Sequence, residues 1–435
     1  MKCNKLIAFF SLLIISSTPE MGFAYRIRTC GDDKLIQRWP TNYETISLDA
    51  ISFPSGTART ALLSAINHLN DGPSNFFLTA TVNGENPSVN NEINEVFFSD
   101  TSEPTAYVAL LLEPKADCME AAYQTGQTET IDEQGRRILP HKAIDVVFST
   151  PTSPAAKVFA YSVDDAYLPG IPGSDGLLLQ RDLREYGGGE FGGGQENRTF
   201  NSTALHELGH FYGLNHSRTE YSVMGIDRTH IHANGFLAQA YVGEDASHGA
   251  VFLYGESDEQ RENLSVSHWK FDPDADSSKY ARHKRTEIYD QDGNPLTNAA
   301  TGNNEQIYEV WPGQRISVEF TLENSGTTNH TVPVAYYYST NDFITSNDTF
   351  LEETQRTINR NLTYEYRRTI NIPMTVSVGD TDAIGIIVDS YDDIEEVNEF
   401  DNATYIKVRI IERPRTIVPQ SRSYLKKRSR SKIQR

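Results

Sequence analysis

His206-Glu207-Leu208-Gly209-His210-Phe211-Tyr212-Gly213-Leu214-Asn215-His216 is the stretch from which the rest of the chain is best read. Its pattern, H-E-x-x-H-x-x-G-x-x-H, sets two histidines one helical turn apart, so both imidazoles reach a single ion. Gly213 permits the positive-φ conformation that ends a helix and turns the chain. That turn brings His216 back to complete three nitrogens around a tetrahedral metal. Three protein ligands leave a fourth position for water, the mark of a catalytic rather than a structural zinc site. His206, His210 and His216 are therefore the expected zinc ligands. Met224 follows within Tyr221-Ser222-Val223-Met224-Gly225.

This segment resembles the metzincin clan of zinc endopeptidases, which share the long zinc motif and a methionine-containing turn below the metal. The short interval from His216 to Met224 and the Asn215-His216-Ser217 run look most like the matrixins, the matrix-metalloproteinase-like group. A second stretch agrees. Val242 to Gly255 resembles the helix that ends a matrixin catalytic domain, opening on Glu244 and Asp245 and closing on Leu253-Tyr254-Gly255. The two acids suit the positive end of a helix dipole. Ala250, Val251, Leu253 and Tyr254 give apolar spacing for a buried face, and Gly255 stops the helix. Astacins and serralysins carry a tyrosine two residues past the turn methionine, where this chain has Ile226, so those branches fit less well.

The resemblance implies roles. Glu207 is the expected general base, taking a proton from the zinc-activated water and passing it to the leaving amine. Met224 is an apolar floor beneath the imidazoles, not a ligand. An edge strand that pairs with extended substrate is expected in 176–181, and the loop from Gly225 to Tyr241 would shape the side-chain pocket. The histidines of a second, structural zinc are missing from the loop that holds Asp164, Asp165 and Asp175; calcium is the ion such oxygens would take, and solvated carboxylates are the alternative. The run Tyr186 to Gly194 lacks the lysine and hydroxyl of a phosphate loop and reads as a flexible lip beside the cleft, or as linker slack.

Lys2 and Lys5 precede the apolar run Leu6 to Ile15, and Gly22-Phe23-Ala24 offers small residues for cleavage. This is the pattern of a secretory signal peptide, and the apolar run is too short to span a membrane. Cleavage removes Cys3 and leaves Cys30 and Cys118, an even pair that reads as a disulfide in an exported protein. Closing so long a loop contributes about 4–5 kcal/mol in the chain-entropy model. The alternative for Cys30 lies in Arg28 to Asp33, which faintly resembles the matrixin cysteine switch, though few residues separate it from the cleavage point. Sequons at Asn201 and Asn215 fall on or beside the zinc helix, where glycans would crowd the metal mouth. With the compact signal peptide they tilt the source toward a bacterium; the signal peptide itself implies secretion, with the periplasm as the alternative.

Upstream of the motif, Leu62, Ala65, Ile66 and Leu69 predict an amphipathic helix broken by Asp71-Gly72-Pro73. Glu95 to Phe98 and Ile144 to Phe148 read as strands, and Val158 to Tyr161 and Leu177 to Leu179 flank a loop rich in Pro, Gly and Asp. A chain of 435 residues exceeds what one core normally serves. Past residue 263 the pattern becomes that of an antiparallel sandwich. Ile316, Val318, Phe320 and Leu322 alternate, Val334 to Tyr338 and Ile384 to Val388 follow, and turn clusters divide them. Val388 to Asn402, with a last strand from Thr404 to Ile410, looks like the end of the adhesion-related immunoglobulin-like repeats of bacterial exported proteins. Its acidic turn reads as a solvated hairpin end, with calcium as the alternative.

The expected fold class is an α/β (α+β) zincin-type catalytic domain with a mixed sheet and a zinc helix, followed by an all-β immunoglobulin-like sandwich. The expected divisions are a signal peptide at 1–24, a metzincin-like catalytic domain at 25–262, the β-sandwich at 263–412 and a basic tail at 413–435. The net charge of −20 favours solubility and gives no sign of nucleic-acid binding. The tail reverses that charge, from Arg413 and Arg415 through Lys426, Lys427 and Arg428 to Arg435, and reads as a disordered extension. The expected activity is a secreted zinc endopeptidase acting on protein or peptide substrates, its β domain meeting a surface polymer or protein. The alternative is an adhesin or surface-binding protein whose protease-like domain is inactive. The intact Glu207 and full ligand set favour the enzyme.

Overall fold

The computed structural model describes residues 25–30, 35–51, 53, 57–84, 87–88, 92–99, 106–110, 129–141, 143–149, 200–216, 223–224, 231–235, 237–267, 269–270, 284–297 and 307–414. The expected signal peptide, the tail beyond Pro414, Cys118, Asp164, Asp165, Asp175, Ile226, the Gly-rich run, the stretch 158–161 and the edge strand expected in 176–181 lie outside the described residues.

The first half opens with β1 (Arg26–Ile27), β2 (Thr29–Cys30), β3 (Leu35–Arg38) and β4 (Tyr43–Asp49), then α1 (Thr57–Asn70). Next come β5 (Phe77–Gly84), β6 (Glu95–Ser99), β7 (Ala106–Leu110), β8 (Thr130–Ile131), β9 (Arg137–Pro140) and β10 (Ile144–Ser149). The metal motif lies on α2 (Phe200–Phe211) and β11 (Leu214–Asn215). A hairpin of β12 (Ile231–Asn234) and β13 (Leu237–Ala240) leads into α3 (Gly243–Tyr254). The second half contains β14 (Leu264–Ser267), β15 (Trp269–Lys270), β16 (Lys284–Arg285), β17 (Ile288–Tyr289) and β18 (Ile307–Val310). Six longer strands complete it: β19 (Arg315–Asn324), β20 (His330–Ser339), β21 (Thr349–Ile358), β22 (Leu362–Asn371), β23 (Thr381–Val388) and β24 (Ala403–Ile410).

The helix predicted before Asp71 is α1; Leu62, Ala65, Ile66 and Leu69 form its buried stripe, the geometry that a three-to-four-residue repeat dictates. Five strands lie in the order β5-β4-β6-β10-β7, parallel except for the antiparallel edge β7. Ile46 and Leu48 of β4 point inward while Tyr43 and Thr45 face water, the alternation that pleating imposes. Helices α1 and α2 pack on each other, α1 against β5 and α2 against β7 and β10.

In the second half, one sheet runs β14-β19-β17 with β22 on β19, and the other runs β18-β24-β23-β20-β21. They face each other across a core that includes Ile316, Val318, Phe320, Leu322, Val334, Tyr336, Ile384, Ile386 and Val408. The opposite face of the second sheet is also covered. Ala335, Tyr337, Ala383 and Tyr405, together with Ile344, belong to the same buried cluster as Leu205, Leu208 and Met224. This explains why β20 is buried on consecutive residues rather than alternate ones.

The expected α/β zincin-type class is corrected to a mostly-β architecture. Strands account for 46% of the structure, and the described residues contain three short helices, of 14, 12 and 12 residues. Seven sheets carry the rest of the regular structure among those residues. A helix announces itself by a sustained period in sequence, whereas strands of two to five residues leave almost no alternation to read. Among the described residues no helix is long and apolar enough to cross a membrane.

Candidate metal centre

Helix α2 forms because Ala204, Leu205, Leu208 and Phe211 recur on one face and bury completely. His206 and His210 are carried on this buried helix, 0% and 5% exposed. The helix ends where Gly213 adopts φ 97°, and the Gly213 N–H donates to the His210 carbonyl at 3.0 Å. The reversed chain is then clamped. β11 pairs antiparallel with β1, Ile27 opposite Leu214 and Arg26 opposite Asn215, and the Arg28 N–H donates to the Gly213 carbonyl at 2.8 Å. His216 follows directly, with its N–H donating to Asn215 Oδ1 at 2.8 Å.

The three ring nitrogens meet. His216 Nε2 is 3.0 Å from His206 Nε2 and 3.0 Å from His210 Nε2. Tetrahedral zinc with ligands at about 2.0–2.1 Å requires nitrogens roughly 3.3 Å apart, close to this spacing. The chemistry of the donor set is more telling. His206 Nδ1 donates to the Val223 carbonyl at 2.8 Å, and His210 Nδ1 donates to the Leu214 carbonyl at 2.9 Å. A carbonyl can only accept, so both Nδ1 atoms carry the proton and both Nε2 atoms present lone pairs. Lone pairs aimed at a common point repel one another unless a cation lies between them. These residues fit a zinc ion, and among the described residues they are the one group of acids, histidines or cysteines so arranged.

The surroundings hold that geometry. Val223, whose carbonyl fixes the His206 tautomer, precedes Met224, which is 2% exposed. A methyl group on Gly209 would overlap the Met224 sulfur, so the turn lies directly against the motif helix. Glu207 is also buried, at 2%. Trp39, which carries no motif signal, and Tyr254 of the Leu-Tyr-Gly stretch secure the carbonyls at and just past the end of α2: Trp39 Nε1 donates to the Phe211 carbonyl at 2.8 Å, and the Tyr254 hydroxyl donates to the Tyr212 carbonyl at 2.6 Å. His141 lies behind Gly213, edge-on to the Trp39 ring. Burial, reinforced by Arg28 and Arg38, lowers its pKa to about 3 and keeps it neutral.

Cys30 is disulfide-bonded and 1% exposed, so it offers no thiolate to a metal, which disposes of the switch. Helix α3 starts at Gly243 and is closed by Gly255 at φ 86°, whose N–H bonds the Val251 carbonyl. The acidic turn that ends in Asn402 is bonded largely to itself. Asp389 Oδ2 accepts from the Ile394 N–H at 2.8 Å, and Asn402 Nδ2 donates to Glu396 Oε1 at 2.9 Å and Glu399 Oε2 at 3.0 Å.

No protein-family profile matches the chain, and no curated protein matches it. Among solved structures it is similar to the CARDB domain of a Pyrococcus furiosus protein in complex with di-metal ions. That likeness has 14% identity, covers 36% of this chain and 95% of that one, and has a TM-score of 0.21. It is also similar to the sporulation control protein Spo0M of Bacillus subtilis, at 10% identity over 24% of this chain and 46% of that one, with a TM-score of 0.17. Likeness at this level bears on no residue of the metal centre.

Proposed function

We propose that the chain is an exported zinc-dependent endopeptidase that cleaves protein or peptide substrates. The observation that supports this reading is the meeting of three Nε2 atoms, two of them fixed as lone-pair donors by bonds to backbone carbonyls. Zinc, when bound by His206, His210 and His216, supplies an acidified water and a Lewis acid for the scissile carbonyl. Glu207, beside the first ligand on the same helix, is the base that takes the proton from the attacking water and returns it to the leaving amine. Met224 and Val223 keep the imidazoles in register, and Trp39 and Tyr254 keep the helix end from fraying.

The test is Glu207→Gln. This variant should bind one equivalent of zinc like the wild type and lose at least 10³-fold in casein or peptide cleavage, the scale of a lost general base. Zinc stoichiometry by atomic emission and product by mass spectrometry read the two separately. A purified wild type that holds zinc and cleaves no substrate in a broad peptide library would turn the reading toward the surface-binding alternative.

A further inference from the structure

We propose that the C-terminal sandwich positions the β12–β13 hairpin as a wall of the substrate cleft, with Asn234 and Gly235 as the positioning residues. The inference rests on the endopeptidase reading for what the cleft holds. Only residues 225–230 separate Met224 from the hairpin. β13 packs against the metal helix α2, while β12 packs against β24 and β14 of the sandwich. The hairpin is thus a layer between the ligand-bearing helix and the second half of the chain.

Its attachment is specific. Asn234 is buried and binds the backbone of Ile344 twice: the Ile344 N–H donates to Asn234 Oδ1 at 2.7 Å, and Asn234 Nδ2 donates to the Ile344 carbonyl at 3.0 Å. One side-chain amide here does the work of a strand partner, satisfying both backbone polar groups of one buried residue. Gly235 has φ 60°, and a Cβ there would lie 2.9 Å from Phe343 Cβ and 3.1 Å from the Asp342 carbonyl oxygen, so the hairpin turn rests directly on residues 342–343. That turn is anchored in its own sheet. Asp342 pairs with Lys407 of β24 at 3.1 Å, and Ile344 lies flat on Gly385 of β23, where an added Cβ would come within 2.6 Å of it. Just past the hairpin's other end, the Tyr241 hydroxyl donates to Glu323 of β19 at 3.1 Å. The hairpin is held at both ends by the sandwich and presses its second strand on the metal helix. None of these residues is a catalytic residue.

The test uses the full-length, zinc-loaded protein and two inhibitors. Acetohydroxamate touches the metal alone, whereas a peptidyl hydroxamate also fills the cleft. Asn234→Ala, and Gly385→Ala on the sandwich side, should weaken the peptidyl hydroxamate at least tenfold. Zinc stoichiometry and acetohydroxamate affinity should stay unchanged, and amide exchange across 231–240 should quicken. Asn234→Asp keeps the acceptor and loses the donor, so it should fall between, which guards against a variant that fails to fold. Equal loss for both inhibitors, or unchanged peptidyl hydroxamate affinity with unchanged exchange, would overturn the proposal. If the wild type bound acetohydroxamate but no peptidyl hydroxamate, the endopeptidase reading would fail; exchange across the hairpin would then decide the clasp by itself.

Discussion

In the second half, burial works against ionisation of Asp401 and Glu396. Burial raises the Asp401 carboxyl to about pKa 8, against a hydrogen bond from Asn263 that works the other way. Burial raises Glu396 to about 9, opposed by the Leu264 N–H. In the unfolded chain both titrate near 4, so between about pH 4 and pH 8–9 the folded protein holds protons that the unfolded chain has released. Stability from these groups is therefore fully present below their unfolded pKa values and is lost as pH rises, by up to about 1.4 kcal/mol per pH unit for each group. Urea midpoints should fall from pH 5 to pH 9, and Asp401→Asn should flatten that slope; a wild-type midpoint independent of pH would contradict it. Neither group stood out in the sequence, where the acidic turn reads as solvated. The burial of Asp401 comes from partners as distant as Asn263, 138 positions away. The cluster of His206, His210 and His216 is the opposite case, because i, i+4 spacing and one glycine suffice to specify where three imidazoles go.

Helices and turns show the same division. The stripe of α1, the glycine stop of α3, and strands β6 and β10 lie where their local patterns predict. The caps on α2 were not legible, since Trp39 precedes Phe211 by 172 residues. Short strands such as β2, β8 and β11 were not legible either, because two residues contain no period. Gly213 is the element boundary on which the centre depends. A Cβ there would meet the Gln37 carbonyl oxygen at 2.7 Å, and φ 97° is costly for any other residue. Gly213→Ala should displace β11 from β1 and move His216 outward. Zinc affinity, measured by competition with a fluorescent chelator, should fall by at least tenfold, while the helical signal in circular dichroism stays near wild type. Unchanged affinity would show that the third ligand does not depend on this turn.

Over the whole molecule, the change in pattern near residue 263 suggests separate units, yet one buried cluster runs from α1 and α2 through Ile344 to Tyr337, Ala383 and Tyr405. The sequence hides this continuity because those side chains lie on the strand faces that an isolated sandwich would turn to water. Zinc binding should therefore stabilise the entire chain. At a free metal concentration a thousandfold above Kd, the gain is about 4 kcal/mol, and calorimetry should show a single transition that moves down on chelation. Two transitions, only one of them metal-sensitive, would show that the halves melt independently. The sheet β18-β24-β23-β20-β21 has apolar residues on both sides, and this bears on how such a chain can be recombined. A graft that carried residues 264–412 onto another protein would bring along an oily underside shaped for one host, and would need that host's hairpin and helix to stay in solution.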